Sequence, residues 1–104
     1  MHGRFARYEV TGDVHEIARQ AEDGMLPIFR AQPGFKAYSL AADGSEVMSY
    51  SAWESADAAE AASAAAAEWI ASNLADKIEL KEVRVGEILL STALGVSAKA
   101  GAAV

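Results

Sequence analysis

Asp43-Gly44 is the feature that most restricts what this chain can fold into. Both residues tolerate positive φ, as a two-residue hairpin turn requires. A segment of strict alternation lies on each side. Lys36, Tyr38 and Leu40 alternate with Phe35, Ala37 and Ser39, and Met48, Tyr50 and Ala52 alternate with Val47, Ser49, Ser51 and Trp53. The spacing predicts an antiparallel hairpin over 35–42 and 46–53, and every other segment has to be arranged around it.

Upstream, residues 5–10 read as a strand, with Ala6, Tyr8 and Val10 on one face and Phe5, Arg7 and Glu9 on the other. Thr11-Gly12-Asp13 marks a turn, and Asp13 is suited to cap a helix N-terminus. From Val14 the apolar spacing becomes helical, through Ile17, Ala18, Ala21, Met25, Ile28 and Phe29. Gly24 and Pro27 interrupt it and predict a kink or short break; Gln32-Pro33-Gly34 ends it. Downstream, Ser55 is the expected N-cap of a second, alanine-dense helix running to about Asp76 or Lys77 and anchored late by Trp69, Ile70 and Leu74. A last strand is predicted over 79–90, with Val83, Val85 and Leu89 on one face and Leu80, Arg84, Ile88 and Leu90 on the other. Residues 1–93 read as one domain, and the small residues of 94–104 as a flexible C-terminal tail.

The order β-α-β-β-α-β is the ferredoxin-like α+β pattern with a four-stranded antiparallel sheet. Two helices cover one face of such a sheet. Apolar residues nevertheless fall on both faces: Phe5, Phe35, Val47, Ile88 and Leu90 against Tyr8, Val10, Tyr38, Leu40 and Val85. The core is also poor in bulk, because 24 of the 104 residues are alanine. A second copy related by two-fold symmetry is the simplest cover, so a homodimer in the form of a dimeric α/β barrel is expected.

Charge and composition remove several function classes. Fifteen acids against nine bases give a net charge of −6, which disfavours nucleic acid and anionic membrane surfaces as partners. With no cysteine there is no disulfide, thiolate nucleophile or thiolate metal site. No apolar run approaches the roughly 18 residues that span a bilayer, and the N-terminus lacks a signal-like stretch, so a cytoplasmic location is expected. The two histidines, His2 at the terminus and His15 on a wet helix face, predict no metal site. No glycine-rich phosphate loop is present, and Ser49 and Ser51 have no neighbouring histidine in sequence to activate them.

Five segments in this order resemble the antibiotic biosynthesis monooxygenase-like family of dimeric α/β barrels. They are Gln32-Pro33-Gly34-Phe35 with Tyr38 following, Trp53-Glu54-Ser55, Glu68-Trp69-Ile70, Asn73-Leu74-Ala75 and Gly86-Glu87-Ile88-Leu89, on a frame spanning residues 4–91. The resemblance implies a homodimer whose sheets face each other, and a pocket in each subunit between sheet and helices. Members that degrade haem carry an asparagine on the first strand and a tryptophan and a ligating histidine on the second helix. Here the only asparagine is Asn73, no histidine lies between residues 55 and 78, and alignment on Trp53 puts Ala62 and Ser72 at the other two places, so haem degradation is disfavoured.

Relatives that oxygenate quinol- or anthrone-type aromatics without a cofactor are the closer comparison. There the substrate reduces oxygen itself, while the protein excludes water and stabilises the developing anion. By that resemblance the candidates for binding a small aromatic ligand are Tyr8, Tyr38, Tyr50, Trp69 and Arg84, with no cofactor. Each has a plainer reading: strand tyrosines as core residues with hydroxyls at the rim, Trp69 as core packing, and Arg7 and Arg84 as ion-pair partners of Glu9, Glu82 or Glu87. Trp53 is expected to pack under the start of the second helix. A non-catalytic dimeric ligand-binding or structural domain is the alternative function, and an isomerase-like reaction on the same scaffold a third.

Overall fold

The computed structural model describes residues 1–99. Four antiparallel strands, β1 (His2–Val10), β2 (Phe35–Asp43), β3 (Glu46–Trp53) and β4 (Ile78–Glu87), form one sheet in the order β2-β3-β1-β4. Three α-helices, α1 (Val14–Gln20), α2 (Leu26–Ala31) and α3 (Ala56–Asn73), lie on a single face of it. This is the ferredoxin-like arrangement. The hairpin forms, but its two turn residues are Gly44 and Ser45 rather than Asp43 and Gly44: Asp43 pairs with Glu46 as the last residue of β2, and of the expected pair only Gly44 takes positive φ, at 61°.

The caps act as read from sequence. Asp13 accepts from the His15 backbone N–H at 2.9 Å, and Ser55 Oγ from that of Ala58 at 3.1 Å. The predicted break near Gly24 and Pro27 is instead a π-helical turn, Ala21–Met25, which joins α1 to α2. The Leu26 N–H reaches back five residues to the Ala21 carbonyl. The wider turn leaves Pro27 in the first turn of α2, where a missing N–H costs little.

Strand and helix ends differ from the sequence reading for topological reasons. β1 starts at His2 rather than Phe5, because β3 and β4 both extend far enough to pair with it there. β4 stops at Glu87 rather than Leu90, because β1 is exhausted: the last link is the Ile88 N–H to the Met1 carbonyl at 2.9 Å. α3 ends at Asn73 rather than near Asp76, since the Lys77 and Ile78 N–H groups turn back onto the Leu74 carbonyl to bring Ile78 opposite Val10. Beyond β4, Ser91 and Val96 exchange two backbone hydrogen bonds of 2.9 Å around a turn with Gly95 at φ 70°. The part of the expected tail from residue 100 onward lies outside the described residues.

Three face assignments need correction. Val47 pairs directly with Tyr8, so it sits on the helix-covered side and packs with Val10, Ile17 and Leu74. Phe35 joins that side too, because a bulge at Lys36 shifts the alternation, and its ring meets Trp53 edge-on at 5.4 Å. A second bulge, on β4, puts Leu80 on the side of Val83 and Val85. The open face therefore carries Phe5, Arg7, Met48, Tyr50, Glu82 and Arg84, with Phe5 49% and Met48 40% exposed.

Beneath the helices, Trp53 and Phe29 are fully enclosed, their rings edge-on at 5.3 Å, and the Trp53 indole N–H donates to Ser51 Oγ at 2.9 Å. Ala59, Ala62 and Ala66 bring α3 close against this aromatic layer. Trp69 packs on the π-turn: a methyl group on Gly24 would lie 2.7 Å from its Cε2 and Nε1. Gly24→Ala should therefore destabilise the fold by roughly 1–3 kcal/mol through overpacking, despite the better helix propensity of alanine. Urea unfolding gives the sign, since an uncrowded helical glycine would show a gain.

Candidate functional site

Strand parity assembles one polar cluster beneath the helices. Arg4 and Tyr8 project from β1, Tyr38 from β2 and Ser49 from β3, all toward the helices. Ile17, Ala21, Met25 and Phe29 face them from the first helical segments, and Ala66, Trp69 and Ile70 from α3. Together these groups enclose a cavity of about 30 Å³. That is room for roughly one or two waters, not for an aromatic ring without displacement of a wall. The polar groups all come from the sheet, and the roof is apolar.

The electrostatics favour hydrogen-bond donation. Burial pushes the Tyr38 phenol up to about 12, and the neighbouring Tyr8 adds to the effect. The Arg4 charge and a hydrogen bond with Ser49 act in the opposite direction without cancelling it. Tyr38 is thus a neutral O–H donor across the physiological range. Phe29 holds its ring edge-on at 5.0 Å. Arg4 is 3% exposed. Its Nε donates to Ser63 Oγ at 2.6 Å, and one terminal nitrogen reaches Tyr8 Oη at 3.5 Å. No histidine, aspartate or glutamate lines the cavity. The cluster is built to stabilise negative charge on a bound oxygen and contains no ordinary proton acceptor.

Of the five sequence candidates, Tyr8, Tyr38 and Trp69 meet at this cavity. Tyr50 and Arg84 lie on the opposite, open face, because they are out of phase with Tyr8 along paired strands. There Tyr50 packs on Phe5 with ring centroids 5.0 Å apart, and Arg84 lies 3.8 Å from Glu82. Arg7 on the same face pairs with Glu46 at 3.1 Å and with Glu82 at 3.9 Å. Sequence reasoning passed over Arg4 and Ser49. The signal was present: Arg4 shares the parity of Ala6, Tyr8 and Val10, but it precedes the stretch read as strand. Among the described residues, no group of three or more potential metal ligands occurs, and no helix is long and apolar enough to cross a membrane.

No family model matches the sequence, and no curated protein matches it. Solved structures do. SnoaB, a cofactor-independent oxygenase from Streptomyces nogalater, superposes with a TM-score of 0.70 at 19% identity, over 88% of this chain and 95% of that one. A putative antibiotic biosynthesis monooxygenase from Nitrosomonas europaea gives 0.67 at 20% identity, over 86% and 100%. The ActVA-Orf6 monooxygenase of Streptomyces coelicolor, solved with nanaomycin D, gives 0.62 at 24% identity, over 86% and 92%. In strand order, helix placement and near end-to-end superposition, the chain has the fold of the antibiotic biosynthesis monooxygenase-like proteins.

Proposed function

We propose that this protein is a homodimeric member of the antibiotic biosynthesis monooxygenase-like family that oxygenates an electron-rich aromatic compound of the quinol or anthrone type without a cofactor. The observation that carries the reading is the cavity between sheet and helices, where two phenols, a serine and a buried arginine converge under Trp69. Similarity to oxygenases of the same fold supports it.

In this reading the substrate supplies the electrons. An anthrone in its enolate form transfers one electron to oxygen, and the radical pair combines to a carbon-bound peroxide. Loss of water then leaves the quinone, so one oxygen atom enters the product and the other leaves as water. Tyr8, Tyr38 and the Arg4 charge stabilise the enolate oxygen, and the apolar roof excludes water. Because no carboxylate or imidazole lines the cavity, the anthrone gives its proton to solvent before it is enclosed, these donors hold it as the enolate, and the peroxide takes a proton back from solvent before water is lost. Trp69 and Ile70 are the walls a ring must displace to enter. Tyr50 and Arg84 belong to the dimer interface rather than to the substrate.

The second reading, a dimeric binding domain without catalysis, draws on the same missing base and on the small volume of the cavity. Oxygen uptake with a simple anthrone separates the two. Uptake above the spontaneous rate, one oxygen per quinone formed, is the expected result, and Tyr38→Phe should lower it by about 10²-fold, the usual cost of one donor at a developing oxyanion. A rate equal to spontaneous autoxidation leaves the binding reading.

The open sheet face supports the dimer: Phe5, Met48 and Tyr50 form an apolar centre there between Arg7, Arg84, Glu46 and Glu82. Native mass spectrometry should give twice the 10.9 kDa chain mass. Phe5→Glu should shift the protein to monomer at micromolar concentration, and a monomeric wild type would remove the barrel.

A further inference from the structure

Arg4 is exceptional among the cations of this acidic chain. Arg7, Arg19, Lys36, Lys81 and Arg84 all pair with carboxylates. Arg30, Lys77 and Lys99 are exposed to water. Arg4 is buried, yet it enters no ion pair among the described residues, and Ser63 Oγ is its one close acceptor. A guanidinium carries five N–H donors, and among the described residues Arg4 uses them on Ser63 Oγ at 2.6 Å and, at 3.5 Å, on Tyr8 Oη, which leaves donors for a ligand. Burying an uncompensated charge is costly, and a protein keeps such a group where an anion completes it.

The guanidinium also stands at a boundary. On one side is the small cavity beneath Trp69. On the other is an open groove of about 350 Å³ between α3 and β4, walled by Ser63, Ala67 and Ala71 from the helix and by Leu80 and Val83 from the strand. Ser63, Ala67 and Ala71 follow one another at four-residue intervals, so one stripe of α3 is too small to fill the space above β4. Leu80 and Val83 are left about half exposed as a result.

We infer that Arg4 is the head-group site for a small monocarboxylate whose flat apolar body lies in the groove between α3 and β4. The planar guanidinium fork matches a carboxylate in two parallel hydrogen bonds. A single cation with apolar walls and no second basic group in the groove suits a monoanion rather than a phosphate. The groove is distinct from the cavity of the proposed reaction and borders it at Arg4, so the inference goes beyond that reading: a ligand of this site carries an acid group on an aromatic or alicyclic frame.

Titration of the full chain with 2-naphthoate and with its neutral analogue 2-naphthamide tests this by calorimetry. The acid should bind at least tenfold more tightly than the amide. Arg4→Met should abolish that preference while keeping or raising the unfolding midpoint, because it removes an unpaired buried charge. Ser63→Ala, which frees the guanidinium without removing it, should weaken naphthoate at least threefold, and it carries the test if the Arg4 variant does not fold. Equal affinity for acid and amide, or a preference that survives Arg4→Met, overturns the carboxylate site and leaves the oxygenase reading to its own assay. Failure of the wild type to bind either probe at millimolar concentration overturns it as well, whereas anthrone oxidation indistinguishable from the spontaneous rate sinks the oxygenase reading alone.

Discussion

The continuous pairing of β1 with two neighbours is the constraint on which the rest of this structure depends. From His2 to Val10 the strand is matched on one side by β3 and on the other by β4. Side chains on paired antiparallel strands share a face residue by residue. Once β1 is in register, Tyr8 carries Val47 to the covered side, Phe5 carries Tyr50 to the open side, and Arg4 carries Ser51 and Val85 beneath the helices. A shift of one residue would exchange the core with the open face and expose the polar cluster.

The layer above the sheet is organised by size. Alanines at 59, 62 and 66 let α3 settle on Trp53 and Phe29, which supply most of the bulk that an alanine-rich chain otherwise lacks. Toward its C-terminal end the same helix carries Trp69 and Ile70, and these close the cavity over Tyr8 and Tyr38. The π-turn makes room for this closure, since Gly24 presents no side chain where the Trp69 indole lies. Helix composition, backbone irregularity and site geometry are thus one packing solution. The aromatic that shapes the site packs both on the π-turn at Gly24 and against the core cluster that includes Val10 and Val47 of the sheet.

Most of the architecture was legible in the residues. Period-two alternation, the hairpin glycine Gly44, the Asp13 and Ser55 caps and the alanine-dense helix are local signals whose physics acts within a few residues. The errors fell where the deciding partner is remote. The bulge at Lys36 reverses the phase of Phe35, and the shift on β4 returns Leu80 to the covered side; neither is visible to a count of alternating residues. The candidate site was legible in part for the same reason. Tyr8, Tyr38 and Trp69 were named on residue type and family resemblance and meet at one cavity, whereas Tyr50 and Arg84, named on the same grounds, lie across the sheet. Arg4 was missed because the first strand was started three residues too late.

The sequence by itself determined the order of elements, their turns and caps, and the exclusion of thiolate chemistry. These follow from composition and from interactions between near neighbours. Only the tertiary structure decided which polar groups share a face and that, among the described residues, a buried arginine has no carboxylate beside it. It also decided that the volume between sheet and helices is nearly filled. The physical reason is that register, burial and packing are properties of pairs far apart in the chain. Arg4 and Ser63 are separated by 59 positions, and nothing local to either announces the other.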